Sequence, residues 1–121
     1  SQESLYQFQS DAIREVAEKY PRCVFVGRTA DYILRDNPNT VNVFITASLK
    51  TRIANVCERR GCTEEEARKI IENGESERAK YYNYYTAKTW GYAESYDLCI
   101  DASILGLEKT KDLIADFIRK R

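Results

Sequence analysis

Apolar residues at Leu5, Phe8, Ala12, Ile13, Val16, Ala17 and Tyr20 recur at steps of three and four, which predicts an opening amphipathic helix. Pro21 ends it. Cys23-Val24-Phe25-Val26 is then an unbroken apolar run, the pattern of a parallel strand covered on both faces, closed by Gly27 and Arg28. Ala30, Ile33 and Leu34 predict one or two helical turns, stopped by the Asp36-Asn37-Pro38-Asn39 cluster. Val41 to Ile45 reads as a second buried strand. From about Ser48 to Arg60 a helix presents Leu49, Ile53 and Val56 inward and stops at Gly61.

Thr63-Glu64-Glu65-Glu66 has the form of a capping box and opens a longer helix, expected to reach about Tyr85 with a bend near Asn73-Gly74. The stretch from Thr86 to Tyr96 is irregular, and Leu98-Cys99-Ile100 predicts a third short strand. A last amphipathic helix carries Leu107, Leu113, Ile114, Phe117 and Ile118. Helices alternating with buried strands predict an α/β fold with a mostly parallel sheet, in one domain spanning 1–121.

Composition narrows the chemistry. The chain has 121 residues, and 19 basic side chains balance 19 acidic ones, which disfavours a purely electrostatic nucleic-acid partner. It has no histidine, so Ser-His-Asp and Cys-His catalysis and every histidine-containing zinc site are excluded. No apolar run reaches the roughly 18 residues of a membrane span, and the start shows no signal-peptide pattern; a cytoplasmic protein without a membrane partner is expected. Of the four cysteines, Cys23 and Cys99 sit in strand-like runs and are expected to be buried thiols. Cys57 and Cys62 lack the spacing of a zinc knuckle, so no metal is expected there, and a chain of this composition needs no disulfide staples.

In open parallel sheets, ligands bind beyond the carboxyl ends of the strands, which singles out Gly27-Arg28-Thr29-Ala30-Asp31. Gly27 permits close backbone approach, Arg28 offers a planar fork to a phosphate, and Asp31 can accept from a base or sugar. An ordinary strand-to-helix turn with a surface arginine fits equally well. On the long helix, Ala67, Ile70, Ile71, Gly74, Arg78, Tyr81, Tyr82 and Tyr85 share one stripe. An inward Arg78 needs a partner, either Glu75 one turn earlier or a ligand phosphate. Arg52 and Arg59 share a face of the preceding helix, beside Lys50 and Arg60. The tyrosines from Tyr81 to Tyr96, with Trp90, read mostly as packing. No glycine belongs to a phosphate-cradling loop.

The runs Cys23 to Leu34, Glu77 to Thr86, Lys88 to Gly91 and Tyr96 to Ser103 together resemble the cytidylate kinase-like family of P-loop nucleoside monophosphate kinases. The resemblance implies a three-layer P-loop-kinase-like fold, and a nucleotide-binding transferase that passes the γ-phosphoryl group of ATP, with Mg2+, to CMP, dCMP or a related nucleoside monophosphate. It implies that Gly27 and Arg28 contact the acceptor nucleotide with Asp31 in support, that Glu75 and Arg78 grip its base and phosphate, and that Arg52 and Arg59 lead into a mobile lid of about residues 60–92. Arg52, Arg59 and Arg78 would then steady the transferring charge. Thr29 stands where the characterised enzymes have aspartate, and Glu75 also replaces aspartate.

The family's first strand and its glycine-rich loop precede the region that Ser1 opens, and that strand lies between the ones matched by residues 22–27 and 41–46. A carboxyl-terminal portion of such a kinase is therefore expected, inactive by itself, with the amino-terminal part removed, or supplied by a complementing segment or a homodimer. The alternative is a noncatalytic protein-interaction domain that uses the tyrosine-rich helix.

Overall fold

The computed structural model describes all residues, 1–121. In chain order it has α1 (Gln2–Lys19), α2 (Ala30–Ile33), β1 (Val43–Thr46), α3 (Leu49–Arg60), α4 (Glu64–Thr86), a single 3-10 turn (Ala93–Ser95), β2 (Leu98–Asp101), α5 (Ala102–Leu105) and α6 (Leu107–Lys120). The architecture is α/β, with a small parallel sheet and mostly helices. β1 and β2 pair in parallel, with Val43 opposite Leu98 and Thr46 opposite Asp101. Below the ladder, the Asn42 N–H donates to Asp97 Oδ2 at 2.7 Å and the Asp97 N–H to the Asn42 carbonyl at 2.8 Å, which fixes the register.

Helix ends follow local chemistry. The Ser48 hydroxyl accepts from the Thr51 N–H at 3.2 Å and caps α3, and Gly61, at φ 62°, turns the chain out of the helix. Thr63 Oγ1 accepts from the Glu66 N–H at 3.2 Å while Glu66 Oε1 accepts from the Thr63 N–H at 3.1 Å, a complete capping box. These bonds hold the Glu66 carboxyl below the usual range, the Thr63 N–H first and its hydroxyl second. Thr63→Ala is therefore expected to lower stability by about 1 kcal/mol at pH 7. Because the folded state binds the Glu66 proton less tightly than the unfolded chain, the box loses strength as pH falls below about 4. Urea melts at pH 7 and pH 3 check this: the difference between wild type and variant shrinks at the lower pH.

α3 and α4 pack through Ile53, Val56, Ala67 and Ile71, with Cys57, Cys62 and Ile70 at the margin. The carboxyl-terminal half of α4 packs on α1 through aromatic rings. Tyr6 stacks on Tyr85 at 3.9 Å and meets Tyr81 edge-on at 6.2 Å. Phe44 of β1 packs on Trp90 and Tyr96. Gly91 is required there, because a Cβ would stand 3.3 Å from the Phe44 ring and the backbone lies at φ 80°.

Three expectations are corrected. Residues 23–26 are not in the sheet: no strand lies beside them, and Val24 and Val26 are each 89% exposed. An apolar run becomes a strand only when a neighbour accepts its backbone hydrogen bonds. Cys23 is consequently exposed, and so is Cys99, against the expectation of buried thiols. Arg78, placed inward by the stripe, is exposed. No helix is long and apolar enough to cross a membrane.

Candidate functional site

Gly27, Arg28 and Thr29 all adopt left-handed backbone, at φ 70°, 57° and 55°. For a residue with a side chain this costs on the order of 1–2 kcal/mol, and two such residues stand in succession. Thr29 anchors the turn. It is buried, its Oγ1 lies 2.7 Å from Tyr6 Oη, and its carbonyl accepts the N–H groups of Tyr32 and Ile33 at 3.0 Å to start α2. The turn therefore takes a fixed shape that leaves the Arg28 side chain exposed.

Arg28 approaches Tyr81 of α4. Burial raises the Tyr81 phenol, Tyr6 adds to the rise, and the nearby Arg28 guanidinium partly offsets it. The Tyr81 hydroxyl donates to Gln9 Oε1 at 3.0 Å, so α1, α4 and the left-handed turn meet there. Asp31 meets the next residue of α4: its Oδ2 accepts from the Tyr82 hydroxyl at 2.7 Å. Burial first, and this bond second, push the Tyr82 phenol far up, so it stays a donor at neutral pH. Tyr96 lies beside the pair, its phenol also raised by burial, and its oxygen accepts the Gly91 N–H at 3.2 Å.

Arg52 and Glu75 pair with each other. Arg52 Nε also donates to the Ala47 carbonyl at 3.0 Å, so this guanidinium ties the end of β1 to the middle of α4. Glu75 is thus not the partner of Arg78. The Arg78 guanidinium folds back over Gly74, where a Cβ would stand 3.8 Å from Nη1. Arg59 is exposed in the last turn of α3, two turns from Arg52 and about 10 Å away along the axis. None of the ion pairs uses Arg28, Arg59 or Arg78.

The structure therefore brings Arg28 to Tyr81, Asp31 to Tyr82 and Arg52 to Glu75, and leaves Arg59 apart. Arg28 lies by Tyr81, and the Arg78 guanidinium lies by Gly74, seven residues earlier on α4 and about 10 Å away along the axis. A cavity of about 830 Å³ between α3 and the start of α4, and one of about 220 Å³ under Ile45 and Thr110, are lined by neither arginine. Tyr82 as the partner of Asp31, with Tyr96 beside it, was not read from the sequence; the inward position of Tyr82 on the helical stripe was the available signal. No group of three or more His, Cys, Asp or Glu residues is arranged to hold a metal.

Three comparisons bear on this arrangement. Residues 1–104 match the model of the cytidylate kinase-like family. Over 91 residues the chain is 28% identical to a cytidylate kinase of Methanosarcina barkeri (strain Fusaro / DSM 804), covering 74% of this chain and 50% of that protein. A crystal structure of an uncharacterized protein from Eubacterium ventriosum ATCC 27560 superposes with a TM-score of 0.91 at 32% identity, over 96% of this chain and 65% of that one. The chain thus spans about half the length of the curated relative and about two thirds of the solved one. With the family model matched over most of its length, the chain belongs to the cytidylate kinase-like family.

Proposed function

We propose that this chain supplies the acceptor side of a nucleoside monophosphate kinase, which transfers the γ-phosphoryl group of ATP to CMP, dCMP or a related acceptor. The observation that carries the reading is the strained Gly27-Arg28-Thr29 turn, pinned by buried Thr29 and holding up a guanidinium with no carboxylate partner. Left-handed backbone at two residues with side chains persists only where the surroundings over-determine it, and such strain gathers at ligand sites.

In this reading Gly27 lets the acceptor approach the backbone, and Arg28 takes a phosphate oxygen. Arg78 swings from Gly74 toward Tyr81 to take another. Asp31, held by Tyr82, and Glu75, held by Arg52, accept from the nucleoside. The reaction moves a phosphoryl group from the γ position of ATP to an oxygen of the acceptor phosphate, leaving ADP. Arg52 and Arg59, at the base of the lid, offset the negative charge gathered between donor and acceptor. The 121 residues carry no glycine-rich phosphate loop, so the ATP phosphates would be held by a segment outside them.

The partner that holds them is a strand bearing that loop, seated between residues 23–26 and β1 in a three-layer P-loop fold. Val24 and Val26, together with Ile45, which is 56% exposed, present the apolar surface such a strand would cover. A coupled ADP-release assay on the polypeptide carrying this segment tests the reading. Turnover with CMP or dCMP is expected, and no turnover with any nucleoside monophosphate would refute it.

A further inference from the structure

We infer that Cys57 and Cys62 form a reversible intrachain disulfide that staples the corner between α3 and α4. Cys57 sits in the last turn of α3, and its carbonyl accepts the Gly61 N–H at 2.8 Å. The left-handed Gly61 then sends the chain back over that turn, so Cys62 returns to the face that carries Cys57. Cys62 Sγ comes within 3.9 Å of the Val56 carbonyl. Both thiols are free and half-buried, pack against the Ile53, Val56, Ala67 and Ile71 core, and line the cavity of about 830 Å³. Partial burial pushes the Cys57 thiol up and the neighbouring Cys62 thiol adds to the shift, as expected of two thiols side by side.

The co-reactant is a small disulfide such as oxidised glutathione. The Cys62 thiolate attacks one of its sulfurs, forming a mixed disulfide and releasing the first glutathione thiolate, which takes up a proton. Cys57, giving its proton to solvent, attacks Cys62 Sγ and releases the second. Two protein thiols are oxidised and one glutathione disulfide is reduced to two thiols. The link joins the turn that carries Arg59 to the residue before the Thr63 cap, so it fixes the angle at which α4 leaves α3.

Exposed Cys23 and Cys99 serve as internal controls. The protein is incubated with oxidised glutathione, and peptide mapping by mass follows each cysteine, natively and in urea. The expected result is a 57–62 linked peptide, lighter by two hydrogens, that forms faster in the native protein than in urea and reopens with dithiothreitol. Cys23 and Cys99 carry glutathione instead, and Cys57→Ser leaves a glutathione adduct on Cys62. The inference is overturned if Cys57 and Cys62 stay unmodified or each carry glutathione while Cys23 and Cys99 react, or if the link forms no faster natively than in urea.

Discussion

Arg78→Ala is expected to lower kcat/KM for phosphoryl transfer by about 100- to 1,000-fold, the usual loss when one charge-stabilising donor is removed from a reacting centre. The fold should hardly notice. Arg78 is exposed and belongs to no ion pair, so its loss is expected to move stability by no more than about 0.5 kcal/mol. Arg78→Lys keeps the charge and loses the planar fork, and an intermediate rate is expected. Tyr84→Ala is the control: Tyr84 is 68% exposed and bonds Glu3, away from the proposed clamp, and its turnover should stay within about twofold of wild type. Steady-state kinetics on the four proteins, each carrying the segment with the phosphate loop, decide the matter. An Arg78→Ala rate within about threefold of wild type would remove this guanidinium from the mechanism.

The second large effect falls on stability. Ile71→Ala is expected to cost about 2–4 kcal/mol, the lost transfer energy of the side chain plus the cavity it leaves. Only 11 of 121 residues are buried, and the α3–α4 core consists of Ile53, Val56, Ala67 and Ile71, so little neighbouring packing can collapse into the gap. Against a typical total of roughly 5–15 kcal/mol this is a large share. At roughly 4 °C per kcal/mol for a chain of this size, the thermal midpoint should fall by about 8–16 °C. A shift below about 3 °C would mean that the α3–α4 contact is not what holds these helices together.

The helices were legible because their signals are local. Ser48, Gly61 and the Thr63–Glu66 box act within a turn of their own positions and bound α3 and α4 where the sequence placed them. β1 and β2 lie where the apolar runs 41–45 and 98–100 predict strands, while their pairing with each other was not legible. The run at 23–26 carries the same composition, yet a strand is a property of two chains side by side, and periodicity cannot supply the neighbour. Arg78 was misplaced for a related reason: an apolar stripe fixes which side of α4 faces inward near Ala67 and Ile71, but a residue two turns on can clear the packed region. Glu75 was within reach of Arg78 by spacing, while its actual partner, Arg52, comes from another helix. The candidate site was legible as residue types and motif. Its pairings, Asp31 with Tyr82 and Thr29 with Tyr6, depend on how α1 and α4 meet, which no local rule encodes.

The most direct measurement is a double-mutant cycle by calorimetry on the whole polypeptide, with Arg28→Ala, Arg78→Ala and the pair, titrated with CMP and with cytidine. A shared phosphate predicts that each variant weakens CMP, that the two losses are non-additive by more than about 0.5 kcal/mol, and that cytidine binding hardly changes. Strictly additive losses, or equal losses for CMP and cytidine, would contradict it.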